Sequence, residues 1–120
     1  MNHSRLQRCS EQLPMPCFIE QEADLLYLTG MSLSKGRLLV NGSESVLFVD
    51  GRYYERAKRD APCKVCMWDE QKKINIKQIG FDSATVTYAG YLALKKEFPH
   101  VEWTPIPNPL KAIRAIKEKQ

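Results

Sequence analysis

Residues 37–49 constrain the fold of this chain more than any other stretch. Two runs nearly continuous in Leu, Val and Phe, Arg37 to Val40 and Ser45 to Val49, are separated by Asn41-Gly42-Ser43-Glu44. Asn-Gly takes positive φ readily and so favours a tight reversal, which predicts an antiparallel hairpin. Strands apolar on both sides must be covered on both faces, and the amphipathic stretches elsewhere in the sequence are the only available cover. At 120 residues with a hydrophobic fraction of 43%, the chain is of single-domain size and large enough to bury a core without disulfides or metals. A radius of gyration of about 14 Å is expected.

The remaining elements follow from periodicity and punctuation. Ser4 to Leu13 is predicted as a short amphipathic helix closed by Pro14 and Pro16, Pro16 to Glu20 as a strand, and Ala23 to Leu28 as one or two helical turns before the turn residue Gly30. Arg52 to Asp60 is a polar helix ended by Pro62, Lys64 to Trp68 a strand, and Asp69 to Lys73 a short helix. Ile79 to Asp82 ends a strand. Ser83 or Thr85 is the expected cap of a helix reaching Phe98, Val101 to Thr104 an edge strand guarded by Pro105, Pro107 and Pro109, and Asn108 the cap of a last helix over 109–119. Helices and strands alternate but one connection is a hairpin, so the fold class is α/β with a mixed sheet flanked by helices. No internal repeat is present.

Charge and cysteine usage exclude several classes. The net charge of +4 is confined to the second half, because residues 1–60 carry eight charges of each sign, and no basic run exceeds two residues, so a nucleic-acid arm is not indicated. No segment approaches the roughly 18 apolar residues that span a bilayer, and the N-terminus lacks an apolar signal core. Cys9, Cys17, Cys63 and Cys66 are therefore read as reduced thiols of a cytoplasmic protein.

Catalytic candidates are few. His3 and His100 are the only histidines, and neither a Gly-x-Gly-x-x-Gly nor a P-loop occurs. Cys63-Lys64-Val65-Cys66 matches Cys-x-x-Cys but lies in a β-like run, whereas a redox pair sits at a helix N-terminus that lowers the first thiol's pKa. Asp50-Gly51-Arg52-Tyr53 is read first as a structural corner, with Asp at a strand end and Arg at a helix start. Met31-Ser32-Leu33-Ser34-Lys35-Gly36 is expected to be a flexible loop and the best candidate for touching something outside the domain.

These residues together carry a resemblance. Leu26-Tyr27-Leu28-Thr29-Gly30-Met31, then Gly36 with the strand Leu38-Leu39-Val40, then Val46-Leu47-Phe48-Val49-Asp50-Gly51-Arg52-Tyr53 and Ala57, resemble in order and spacing the N-terminal domain of the creatinase, prolidase and Xaa-Pro aminopeptidase family. Ile79-Gly80-Phe81-Asp82 and the closing Leu110 to Lys117 segment fit the same pattern, with Met31 standing where Phe is usual. The resemblance implies that catalysis belongs to a C-terminal pita-bread domain, absent from this chain, holding two divalent metal ions such as manganese, cobalt or zinc. No catalytic, cofactor or metal residue is then expected in this chain. It further implies a homo-oligomer in which residues 31–36 restrict access for short peptides with proline second. Two other readings stand beside it. One is a basic interaction module using Lys95, Lys96, Lys111, Arg114 and Lys117 toward an acidic partner or nucleic acid, and the other is a thiol oxidoreductase at Cys63 and Cys66.

Overall fold

The computed structural model describes residues 5–110. Six strands form one mixed sheet: β1 (Cys17–Ile19), β2 (Gly36–Val40), β3 (Val46–Val49), β4 (Lys64–Met67), β5 (Gln78–Asp82) and β6 (Glu102–Ile106), in the spatial order β4-β3-β2-β1-β5-β6. The predicted hairpin is present, with Gly36 opposite Val49 and Leu39 opposite Val46. Its reversal is a 3-10 turn over Gly42–Glu44 in which Gly42, at φ 57°, takes the positive dihedral and Asn41 keeps a negative φ of −151°. The Ser45 hydroxyl accepts from the Asn41 N–H, closing the loop that the Asn-Gly pair was expected to close alone.

β2 also pairs antiparallel with β1, while β1 with β5, β5 with β6, and β3 with β4 are all parallel. Only β2 runs against the rest. Five strands therefore deliver their carboxyl ends to one edge of the sheet, and the segment entering β2 arrives at that same edge.

Among the described residues four α-helices flank the sheet: α1 (Arg5–Gln12), α2 (Glu22–Thr29), α3 (Gly51–Asp60) and α4 (Tyr88–Glu97). Leu6 and Cys9 of α1, Leu25 and Leu28 of α2 and Ala57 of α3 pack with Ile19, Leu38, Val40, Leu47 and Val49 on one face. On the other face, Leu94 of α4 and Phe98 meet Phe18, Leu39, Phe48, Ile79, Phe81 and Trp103. All five residues of β2 are buried, as a strand covered on both faces requires. The radius of gyration, 13.7 Å, is that of a well-packed domain of this length.

Two helix starts differ from expectation. Neither Ser83 nor Thr85 caps α4; Thr87 does, its hydroxyl accepting from the Gly90 N–H, because Asp82 holds 83–86 in turns by accepting from the Ala84 N–H and by backbone bonds to Thr85 and Val86. Asn108 is not in a capping conformation either. It sits at φ 48° with its N–H donated to Asp82 Oδ1, and the helix expected after it, with Lys111, Ile113, Arg114, Ile116 and Lys117, lies outside the described residues, as does His3.

Candidate functional site

The carboxyl edge gathers the sequence candidates. In open α/β sheets, ligands bind outside the carboxyl ends of strands, where loops diverge from a rigid scaffold. Here that edge carries the 31–36 loop leading into β2, the Asp50–Tyr53 corner after β3, Trp68 after β4, Glu20 after β1 and Asp82 ending β5.

The loop is less free than its composition suggests. Met31 and Leu33 are 2% and 1% exposed and belong to the core beneath α2, and Gly36 is buried against Leu33 and Leu25. Thr29 links α2 to the loop, donating its hydroxyl to the Leu25 carbonyl while accepting from the Met31 N–H. Ser34 shares a 2.7 Å hydrogen bond with the Tyr53 hydroxyl, and the Lys35 ammonium lies 4.8 Å from the Trp68 ring centroid. The alternation Met-Ser-Leu-Ser thus sends every second side chain inward, leaving Ser32, Ser34 and Lys35 as the outward face. The loop is thus anchored in the core through Met31 and Leu33.

At the corner, Asp50 and Arg52 do meet, but Asp50 does the structural work. Its carboxylate caps α3 by accepting from the Arg52 N–H at 3.0 Å, and the Arg52 guanidinium returns to the same carboxylate at 2.9 Å from a position 67% exposed. The hydrogen bond from Arg52 holds the Asp50 carboxyl below its ordinary value of 3.8. Gly51 and Arg52 are exposed, and Tyr53 is half-buried.

Arg37 is the functional-looking residue that sequence reasoning passed over. From β2 its side chain, 11% exposed, donates to Glu20 and to Gln71 Oε1 at 2.6 Å, and its terminal nitrogen lies 3.5 Å from Glu97. Its guanidinium sits 5.1 Å from the ring centroids of both Phe18 and Trp68. A buried cation needs this many partners, since desolvation alone would expel it. The available signal was a single Arg opening a strand whose other side chains are all apolar. Beside it, among β1, β5 and α4, opens a cavity of about 350 Å³.

Cys63 and Cys66 do not form a pair. Cys63 lies in the bend before β4 and Cys66 within the strand, and they pack on opposite sides of the sheet, Cys63 against the three-helix core and Cys66 against the α4 core. Burial pushes Cys63 up to about 11, and burial followed by Glu70 also raises Cys66. Thiol catalysis needs the opposite shift, so neither the placement nor the surroundings of these thiols supports the oxidoreductase reading.

Among the described residues no group of three or more His, Cys, Asp or Glu is placed to hold a metal ion. His100 Nε2 is hydrogen-bonded to the Ile74 carbonyl, and Glu20 is tied to Arg37. No helix among those residues is long and apolar enough to cross a membrane.

The mixed sheet, with helices on both faces and one strand antiparallel to the other five, defines an α/β domain. Residues 15–116 match the Creatinase/Prolidase N-terminal domain, and the chain belongs to that family. It is 23% identical over 112 residues to the uncharacterized peptidase YqhT of Bacillus subtilis (strain 168), covering 85% of this chain and 32% of that protein. Its fold superposes on the N-terminal domain of the cytoplasmic peptidase PepQ from Mycobacterium tuberculosis H37Rv with a TM-score of 0.78 and 26% identity, covering 92% of this chain and 98% of that one. On the X-Pro aminopeptidase of Thermotoga maritima MSB8 the TM-score is 0.77 at 20% identity, over 89% of this chain and 35% of that one. The chain thus spans about a third of the length of YqhT and of the Thermotoga enzyme.

Proposed function

We propose that this chain is the N-terminal, non-catalytic domain of a cytoplasmic, metal-dependent Xaa-Pro peptidase, and that it assists oligomerisation while its 31–36 loop restricts the active site to short peptides with proline second. Family membership across 15–116, in a chain a third as long as those relatives, carries the reading. Hydrolysis then belongs to a C-terminal pita-bread domain, where two divalent ions, manganese, cobalt or zinc, activate water. The pinned loop supports the access role. Ser32, Ser34 and Lys35 stand on a backbone anchored by Met31 and Leu33, so they can present a fixed barrier to a neighbouring subunit.

The test is kinetic. In the full-length protein, truncating the outward side chains with Ser32→Gly, Ser34→Gly and Lys35→Ala leaves both anchors intact. Expected is an increase in kcat/KM for longer Xaa-Pro peptides relative to tripeptides; an unchanged ratio at every length leaves the domain with an assembly role only.

The interaction-module reading finds less support. Lys95 and Lys96 are exposed on α4, with Lys95 5.5 Å from the Tyr91 ring centroid.

A further inference from the structure

The cavity beside Arg37 is not explained by the access role, and its chemistry runs against the charge of the chain. Its lining combines the apolar and aromatic Phe18, Phe81, Val86 and Leu94 with the carboxylates Glu20, Asp24, Asp82 and Glu97, against Arg37 as the one cation of that lining among the described residues. A protein of net charge +4 has therefore collected four carboxylates around one concave site of about 350 Å³ at the carboxyl edge of its sheet. Concave sites with an apolar floor and a few convergent polar groups are where small ligands bind, and this is the edge at which α/β sheets place them.

We infer that this cavity is a binding site for a primary ammonium on a short alkyl stem, the chemistry shared by a small aliphatic amine and a lysine side chain. Three features select that class. The stem lies against the Phe18 and Phe81 rings and the Val86 and Leu94 side chains, which would exclude a bare hydrated ion. The ammonium meets a lining in which carboxylates outnumber the guanidinium, and two of them keep acceptor capacity in contact with solvent: Glu97 is 46% exposed and holds Arg37 only at 3.5 Å, and Glu20 is 37% exposed. A divalent metal is disfavoured by the spacing of the same groups, since no three of them converge as ligands. Arg37 fixes the Glu20 and Glu97 side chains in place, so the site is preorganised. This inference is independent of the proposed access role.

NMR on the ¹⁵N-labelled chain tests it, the PepQ N-terminal domain having been solved as a separate chain of matching length. n-Butylammonium chloride is titrated against n-butanol and against sodium chloride at equal ionic strength. Expected are saturable shifts of the Asp82, Thr87 and Gly90 amides with the amine only, weakened several-fold in Glu97→Gln and by added salt. Acetyl-Gly-Lys-Gly-amide, run in parallel, separates the sources: shifts at least as large as those from the amine assign the cavity to a lysine of another protein segment, and shifts from the amine alone assign it to a small metabolite. Equal shifts with n-butanol, or none with either amine, overturn the inference. Should Glu97→Gln not fold, the salt dependence of amine binding to the unaltered chain carries the same decision.

Discussion

Asp50 and Arg52 show how one carboxylate can serve two partners of unequal worth. The bond from the Arg52 backbone N–H survives any substitution of that residue's side chain, whereas the exposed guanidinium contact is screened and mobile. Asp50→Ala is therefore expected to lower the urea midpoint more than Arg52→Ala; equal midpoints would refute the cap. Because folding lowers the Asp50 pKa, its contribution is present above the ordinary value of 3.8 and is lost as pH falls through the folded-state value. The gap between wild type and Asp50→Asn should accordingly narrow below about pH 4. Gly80 poses a purely steric problem at the same scale. A Cβ there would lie 2.6 Å from Ile106 Cδ1 and 2.9 Å from Cys17 Sγ, so Gly80→Ala is expected to cost about 1–3 kcal/mol. Shortening the nearer obstacle with Ile106→Val should recover part of that loss, and a double mutant no better than the single would place the strain elsewhere.

Among the elements, the 31–36 loop and the start of α4 carry the clearest expectations. Leu33 is a core side chain in a loop, and Leu33→Ala should destabilise by about 2–4 kcal/mol while Lys35→Ala stays within about 0.5, measured by urea unfolding. Thr87→Ala should cost about 1 kcal/mol and Ser83→Ala close to nothing, since only Thr87 satisfies a first-turn N–H. The elements themselves were largely legible: the hairpin, the amphipathic α1, the polar α3 and the mixed sheet follow from apolar runs and Gly or Pro punctuation. Less legible was anything decided by a partner distant in sequence. Asp82 sets where α4 begins and reaches across to Asn108, and Arg37 is explained only by Glu20, Gln71 and Glu97, which three other segments contribute. Local pattern carries periodicity and turn chemistry, and says nothing of a hydrogen bond between residues 26 or 34 positions apart. The seating of Met31 and Leu33 was, in contrast, written in their alternation with Ser32 and Ser34, which composition alone obscured.

For the whole molecule, the cysteines tie stability to alkaline pH. Burial raises Cys9 to about 12 and Cys17 and Cys63 to about 11, so the folded state keeps protons that the unfolded chain releases above its ordinary value of 9.0. Stability contributed by these thiols is fully present below pH 9 and should fall as pH rises toward 11–12. Replacing Cys9 and Cys63 with Ala should flatten that decline, whatever it does to stability at neutral pH. The position of β2 has a consequence of another kind. Like the shorter β1, it is buried along its whole length and bonded to neighbours on both sides, while β4 and β6 each have one unpaired flank among the described residues. Its amides can reach solvent only when the sheet itself comes apart, so their hydrogen–deuterium exchange should report global unfolding, with β4 and β6 exchanging earlier through local opening. Because Gly36 and Arg37 begin that strand, the floor under the 31–36 loop belongs to the slowest-exchanging part of the protein, and the surface it displays is as durable as the fold.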